Sequence, residues 1–155
     1  MRTIEAKPAA SGVRVAVVVS KYNDFVTERL QAGALAALDT LGVASADITV
    51  IKVPGAFEIS MAAHQAAATK RFDAVVCLGC LIRGATAHFE YIASAVSHGI
   101  TAAAAATGVP ITFGVLTTNS VEEAIERAGD GPANKGWEAA AAAVEMASVI
   151  AQLRK

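Results

Sequence analysis

Residues 74–91, AVVCLGCLIRGATAHFEY, contain the pattern that decides the fold. The apolar run from Ala74 to Gly79 is rich in β-branched residues and predicts a buried strand. A polar turn follows, and the residues after it have the mixed character of an amphipathic helix. In a parallel α/β sheet built from such units, ligands bind beyond the carboxyl ends of the strands. The loop that carries Arg83, Thr86 and His88 is therefore the first candidate for chemistry.

The same succession of strand and helix occurs four times along the chain. Strands are predicted at about 14–19, 48–53, 74–78 and 111–116, and helices at about 25–41, 57–69, 121–128 and 134–153. The third helix is predicted to end near Gly99, with a short alanine-rich helix after it. Ser120 and Asn134 are suitable N-caps for the last two helices. This alternation predicts a single-domain, three-layer α/β/α fold with a four-stranded parallel sheet, of the flavodoxin-like type.

Residues 1–12 are expected to form an N-terminal arm outside the main domain, which spans residues 13–155. Residues 2–5 alternate between polar and apolar side chains, and Pro8 lies in the tether that follows. Two interpretations are open. The segment is either a frayed end or a strand that adds to the sheet edge of a neighbouring subunit.

The composition favours a small molecule or a protein as partner over a nucleic acid or a membrane. The formal net charge is -1, which gives no attractive field for nucleic acid or anionic lipid. No apolar run reaches membrane-spanning length and no secretory signal is recognisable, so a cytoplasmic location is expected. Because 54% of the residues are hydrophobic and 17% are charged, we expect apolar surface to be buried between subunits.

Cys77 and Cys80 form a C-x-x-C pattern, which could indicate a redox or metal-binding pair. A redox pair normally lies in a turn and the first residues of a helix, whereas Cys77 lies inside the predicted strand. Strand residues three positions apart point to opposite faces of a sheet. We therefore expect two small buried residues in a reducing compartment.

The first two strand ends offer an aromatic ring and helix-terminal amides. Tyr22 lies in a loop without glycine, which argues against the phosphate cradle of a flavin or dinucleotide fold. Its ring could stack on a planar heterocycle or could pack against the core. After the second strand, Pro54 and Gly55 force a turn that leaves the amides of residues 56–58 unpaired at a helix start. Glu58 also suits that position electrostatically, without any role in binding.

The third strand end combines an anion site with a base. Ala85 and Thr86 precede a helix, and the free amides there, with the threonine hydroxyl, suit a phosphate group. His88 lies in the first turn, where the positive helix end favours a neutral imidazole that can accept a proton. His88 is therefore predicted to be catalytic, while His64 and His98 are predicted to be structural.

Two cations, Arg127 and Lys135, follow the fourth strand. Arg127 is suited to bind a phosphate with two parallel hydrogen bonds, although it could also be an ordinary exposed helix arginine. If Arg127 reaches the loop of a neighbouring subunit, one site is shared between subunits. That arrangement would explain the apolar excess.

Four motifs together resemble the 6,7-dimethyl-8-ribityllumazine synthases of riboflavin biosynthesis. They are VPGAFEI at 53–59, LGCLIRGATAHFEY at 78–91, FGVLTT at 113–118 and NKGWEAA at 134–140. The resemblance covers essentially the whole chain. It implies condensation of 5-amino-6-(D-ribitylamino)uracil with 3,4-dihydroxy-2-butanone 4-phosphate, with loss of phosphate and water and without a metal or organic cofactor.

The resemblance also implies a role for each site residue. The pyrimidine and its ribityl chain would be bound by Tyr22, Ala56, Phe57, Glu58, Cys80, Leu81, Ile82, Phe113 and Lys135. The phosphate would be held by Ala85, Thr86 and Arg127, and His88 would transfer protons. Phe113 and Lys135 would come from the adjacent subunit. Tyr22 departs from the family pattern, which usually has Phe or Trp there.

The assembly implied by the resemblance is a homopentamer with sites at its subunit interfaces. Twelve such pentamers would form an icosahedral shell, because the connection at 129–136 lacks the insertion of family members that stop at pentamers. Riboflavin synthase is a candidate protein partner. Two other functions stay open: a non-catalytic lumazine or flavin carrier or shell protein, and a flavodoxin-like electron carrier. A base beside a phosphate site argues against the first, and the glycine-free first loop argues against the second.

Overall fold

A computed structural model describes residues 1–8 and 10–155, in which four strands and five α-helices alternate. The strands are β1 (Val15–Ser20), β2 (Ile48–Val53), β3 (Ala74–Ile82) and β4 (Ile111–Thr118). The helices are α1 (Asp24–Thr40), α2 (Ile59–Ala68), α3 (His88–Thr107), α4 (Val121–Arg127) and α5 (Lys135–Leu153). Short 3₁₀ turns, Ser45–Asp47 and Ala56–Glu58, precede β2 and α2.

The four strands form one parallel sheet in the order β2-β1-β3-β4. Val15 of β1 lies opposite Ile48 on one side and Ala74 on the other. The chain first adds β2 on one side of β1 and then crosses to add β3 on the other side. A crevice for ligands is expected where the direction of growth reverses, at the carboxyl ends of β1 and β3. The predicted sheet and fold class are confirmed.

Helices cover both faces of the sheet. In β1, Val15, Val17 and Val19 belong to the core cluster that includes residues of α1, α4 and α5, while Ala16 and Val18 belong to the cluster that includes residues of α2 and α3. All five side chains are fully buried. A strand with two covered faces needs a continuous apolar run rather than an alternating one, which explains the sequence of β1.

The start of α5 is fixed by Asn134, a side chain that is only 2% exposed. Its Oδ1 accepts the amide hydrogens of Gly136 (2.7 Å) and Trp137 (3.1 Å), as predicted for an N-cap. Its Nδ2 donates to the carbonyl oxygens of Arg29 (3.2 Å) and Gly129 (2.8 Å). Asn134 therefore caps α5 and also ties it to α1, which sets the position of the adjoining Lys135.

The predicted end of the third helix near Gly99 is wrong, because α3 continues to Thr107. A Cβ at Gly99 would lie 2.6 Å from Oγ of Ser60 on α2, so glycine serves the close packing of two helices. The helix ends instead at Gly108, whose φ of 71° is the left-handed conformation common after helix C-termini.

The two cysteines both lie in β3, on opposite faces of the sheet. Both are free thiols. Burial raises the pKa of Cys77 to about 12 and the pKa of Cys80 to about 11. These observations confirm two buried residues rather than a redox pair.

The N-terminal residues 1–8 form no strand in the single chain. The amide of Lys7 donates to Oγ of Ser148 (3.0 Å), and Nε2 of Gln152 donates to the carbonyl oxygen of Glu5 (2.8 Å), so the segment contacts α5. Position 9 of the expected arm lies outside the described residues. Pairing of the arm with a neighbour's sheet therefore stays a prediction. Across residues 1–8 and 10–155, no helix is both long and apolar enough to span a bilayer.

Candidate active site

A cavity of about 800 Å³ opens beyond the carboxyl ends of β1, β2 and β3. We call it the main cavity. Its lining residues are Tyr22, Asn23, Gly55, Ala56, Phe57, Glu58, Cys80, Leu81, Ile82, Gly84, Thr86, His88, Phe89, Tyr91 and Ile92. The structure thus brings together most of the residues predicted at three strand ends, in a space suited to a small organic ligand.

The loop after β1 holds Tyr22 at the mouth of the main cavity. The amide of Lys21 donates to the carbonyl oxygen of Val53 (2.8 Å), and the amide of Tyr22 donates to that of Pro54 (3.1 Å). These bonds continue the pairing of β1 with β2 beyond the strands. The Tyr22 side chain is 72% exposed, which excludes the interpretation as a core packing residue in the single chain.

Asn23 is a cavity residue that the sequence did not indicate. Its backbone is left-handed, with φ 61°, a conformation that Asn adopts more readily than most residues. Its Nδ2 donates to the carbonyl oxygen of Cys80 at 2.9 Å, joining the ends of β1 and β3 across the crevice. An Asn directly before a helix normally indicates an N-cap, but this side chain makes no capping bond to α1.

Cys80, Leu81 and Ile82 lie in β3 itself, whereas the strand was predicted to end at Leu78. The strand is longer because its last residues pair with β4, as in the pairing of Ile82 with Thr118. All three residues line the main cavity. The buried Cys80 is present as a thiol at neutral pH, because burial raises its pKa to about 11.

The second strand end leads into the 3₁₀ turn Ala56–Glu58 and then directly into α2. The first amides of a helical segment have no carbonyl partner within it, so those of Ala56 and Phe57 can bind a ligand. Glu58 is exposed, but the prediction of a free amide at this residue is wrong, because the Glu58 amide donates to the carbonyl oxygen of Gly55 (3.3 Å). This edge of the cavity therefore presents hydrogen-bond donors beside a carboxylate.

The third strand end places a base beside the start of α3. The His88 amide donates to Oγ1 of Thr86 at 3.4 Å, and both side chains line the main cavity. Ala85 lies in the same exposed loop but does not line the cavity. The α3 N-terminus is favourable for an anion, so the loop can bind a phosphate next to the imidazole.

Arg83, in the same loop, does not line the main cavity. Its guanidinium donates to Oδ1 of Asn119 (2.9 Å) and to the carboxylate of Glu90, and lies 4.6 Å from the centre of the Phe89 ring. Arg83 therefore contacts neighbouring protein groups rather than the anion site.

A second cavity of about 440 Å³ lies along the edge strand β4, next to α4 and α5. We call it the edge cavity. It contains Phe113, Arg127 and Lys135, and it shares no lining residue with the main cavity. The Lys135 ammonium is paired with Glu138 (3.0 Å). The structure thus groups the three remaining predicted site residues, but in a different cavity from His88.

Comparison with known proteins gives a family that spans almost the whole chain. A sequence profile described as 6,7-dimethyl-8-ribityllumazine synthase matches residues 12–151. A protein of Syntrophus aciditrophicus (strain SB) with the same name is 51% identical over 149 residues, covering 96% of this chain and 97% of that protein. The chain belongs to this family. The resemblance inferred from the four motifs is confirmed.

For a member of the 6,7-dimethyl-8-ribityllumazine synthase family, the division of site residues between two cavities requires an explanation. Tyr22, Thr86 and His88 lie in the main cavity, while Phe113 and Arg127 lie in the edge cavity.

Among the residues described, no group of three or more His, Cys, Asp or Glu side chains is arranged to hold a metal ion.

Proposed function

We propose that the protein makes 6,7-dimethyl-8-ribityllumazine at sites shared between neighbouring subunits. Its family membership supports the reaction, a transferase step of riboflavin biosynthesis that joins 5-amino-6-(D-ribitylamino)uracil to 3,4-dihydroxy-2-butanone 4-phosphate. The observation that carries the shared site is the separation of His88 from Arg127 in one chain. If the edge cavity of one subunit lies against the main cavity of the next, the two sets of residues complete one site.

In this proposal the main cavity binds the pyrimidine. The exposed Tyr22 ring stacks on the planar heterocycle, with the two rings offset as aromatic pairs favour. The amides of Ala56 and Phe57, the Glu58 carboxylate and backbone groups of residues 80–82 bind the ring polar atoms and the ribityl hydroxyls. Phe113 and Lys135 of the neighbouring subunit complete the pocket.

The phosphate binds at the start of α3, held by the loop residues Ala85 and Thr86 and by Arg127 of the neighbouring subunit. Within its own chain, Arg127 donates from Nη1 to the carbonyl oxygen of Glu123 at 3.3 Å, a long hydrogen bond. A guanidinium has five N–H donors in a planar fork, so most of its capacity is available to a phosphate.

His88 transfers protons during the reaction. Schiff-base formation, phosphate elimination and ring closure each need a proton to move, and a positioned imidazole is suited to all three. His88 and Thr86 both line the main cavity, so the base lies beside the phosphate loop. Holding two reactive substrates side by side supplies much of the remaining acceleration.

The proposed assembly is a homopentamer, with twelve pentamers forming an icosahedral shell. A head-to-tail contact between an edge cavity and a main cavity closes on itself in a cyclic ring, which leaves no open end. The exposed aromatic residues Tyr22, Phe57, Tyr91 and Phe113 support burial at such a contact. We also propose that the arm of residues 1–12 adds to the sheet edge of a neighbouring subunit. The proposed location is the cytoplasm, and the proposed protein partner is riboflavin synthase.

The function is tested by incubating the purified protein with both substrates and following the lumazine absorbance. Lumazine is expected to appear, and to appear about two to four powers of ten more slowly with His88→Ala. Product binding without turnover would instead indicate a carrier. Light scattering on the same sample tests the assembly. A mass of five subunits at every protein and phosphate concentration would refute the shell, and a fully active monomer would refute the shared site as well.

A further inference from the structure

We propose that Arg83 is a positioning residue, which fixes the loop of residues 84–88 against the end of β4. The loop carries Thr86 and His88, and Arg83 itself does not line the main cavity. The inference rests on the proposed function, because the loop is taken there as the phosphate-binding and proton-transferring element.

The contacts of Arg83 join the end of β4 to the first turn of α3. Its amide donates to the carbonyl oxygen of Thr118 (2.8 Å), which continues the pairing of β3 with β4, and its Nε donates to Oδ1 of Asn119 (2.9 Å). Its Nη1 donates to the carboxylate of Glu90, and the guanidinium lies over the Phe89 ring. One side chain thus contacts the end of β4 and the first turn of α3.

The loop has little else to hold it. Residues 84–88 are all exposed, and a Cβ added at Gly84 would meet no atom within 4 Å. The hydrogen bond from the His88 amide to Oγ1 of Thr86 is long, at 3.4 Å. Because packing within the single chain does not restrict the loop, we infer that contacts at its two ends set its conformation before a neighbouring subunit covers it.

Asn119, the residue that accepts from Nε of Arg83, is itself hydrogen-bonded to α4. The Asn119 amide donates to Oε2 of Glu123 (2.9 Å), and Oγ of Ser120 accepts the Glu123 amide (3.2 Å). These bonds cap α4, as the sequence predicted. The Glu123 carboxylate accepts from the amide of Asn119, which is one residue before the N-cap Ser120. The loop of the main cavity is thereby connected to the helix that carries Arg127.

Only an arginine can make all of these contacts. Its planar fork serves two acceptors in different directions while its face stacks on a ring, whereas a lysine offers a single ammonium group. Arg83→Gln removes the charge and the fork. Arg83→Lys keeps the charge alone, so it is expected to restore only part of the function.

Arg14→Gln is a matched control. The Arg14 guanidinium is also bound to a carboxylate, that of Asp73 (3.3 Å), and its side chain is 46% exposed against 47% for Arg83. Arg14 precedes β1 and therefore lies at the opposite end of the sheet from the main cavity. Loss of a surface ion pair is common to both variants, whereas the contacts with Asn119 and Phe89 beside the loop are specific to Arg83.

Steady-state kinetics gives the first measurement. Arg83→Gln is expected to lower kcat/KM for the butanone phosphate by about tenfold to a hundredfold, the cost of a small misplacement of catalytic groups. The KM for ribitylaminouracil should stay within about twofold, because Tyr22 and residues 56–58 lie on other loops. Arg14→Gln should change neither constant.

Hydrogen exchange followed by mass spectrometry, without substrates, gives the second measurement. The Tyr91 amide, bonded to the carbonyl oxygen of Ala87 (3.3 Å), should exchange about fivefold faster in Arg83→Gln than in wild type or Arg14→Gln. Unchanged exchange would overturn the positioning role, even with reduced activity, because the start of α3 would then be held equally well without Arg83. A wild type that makes no lumazine would refute the proposed function, while the exchange rates would still show whether Arg83 holds the loop.

Discussion

Replacing Arg127 by alanine is expected to weaken binding of the phosphate substrate selectively. The guanidinium is exposed, and its hydrogen bond to the carbonyl oxygen of Glu123 is long, at 3.3 Å. A charge-assisted, two-point contact with a phosphate is worth about 2 to 3 kcal/mol. At about 1.4 kcal/mol for each factor of ten, the loss corresponds to about a 30-fold to 150-fold weaker affinity.

The assay for Arg127→Ala is steady-state kinetics with each substrate varied in turn. The KM for 3,4-dihydroxy-2-butanone 4-phosphate should rise by the calculated factor, and inhibition by inorganic phosphate should weaken in parallel. The KM for ribitylaminouracil serves as an internal reference. Arg154→Ala is a matched control, because Nη2 of Arg154 also donates to a backbone carbonyl oxygen, that of Gly108 (2.7 Å), away from both cavities.

An unchanged KM for the butanone phosphate in Arg127→Ala would refute the reasoning and would make Arg127 an ordinary surface residue. Equal increases in the KM for both substrates would also contradict it, because they would indicate a disturbed subunit interface rather than a lost phosphate contact.

Three further variants test other parts of the account. His88→Ala should lower kcat by about two to four powers of ten while ribitylaminouracil affinity is retained, whereas His98→Ala, a histidine bonded within α3, should keep wild-type kinetics; equal rates in all three proteins would remove His88 from the mechanism. In calorimetric titrations, Tyr22→Phe should bind the pyrimidine with wild-type affinity, whereas Tyr22→Ala should lose about 1 kcal/mol or more of binding free energy. Wild-type affinity in Tyr22→Ala would rule out stacking. Asn134→Ala should reduce the free energy of unfolding by about 2 to 4 kcal/mol, because amides and carbonyls at a buried site lose their partners, and an unchanged denaturation midpoint would contradict this.

Much of the fold could be predicted because its signals are local. The continuous apolar run of β1 indicates a strand covered on both faces, and both N-caps, Ser120 and Asn134, bond to amides within three residues. The convergence of three loops also followed from the sequence, since the carboxyl ends of parallel strands meet at one edge of the sheet.

The features that the sequence could not predict depend on contacts between distant residues. In the sequence, Gly99 indicates the end of a helix. In the structure, Ser60 of α2 packs where a Cβ of residue 99 would lie. The position of Asn23 before α1 is typical of an N-cap, but its side chain donates to the carbonyl oxygen of Cys80 instead. Arg83 is near the site in sequence, yet its side chain is directed to Asn119 by contacts with β4 and α3.

The shared site is tested most directly by mixing two defective subunits. His88→Ala and Arg127→Ala proteins are unfolded, combined in equal amounts and refolded together, then assayed at a butanone phosphate concentration below the wild-type KM. If each site takes His88 from one subunit and Arg127 from the next, random assembly leaves about a quarter of the sites intact. The mixture should recover about a quarter of wild-type activity, while the same proteins mixed without unfolding should recover none. Activity no higher than the mean of the two variants would contradict the account, because both residues would then serve a site within one chain.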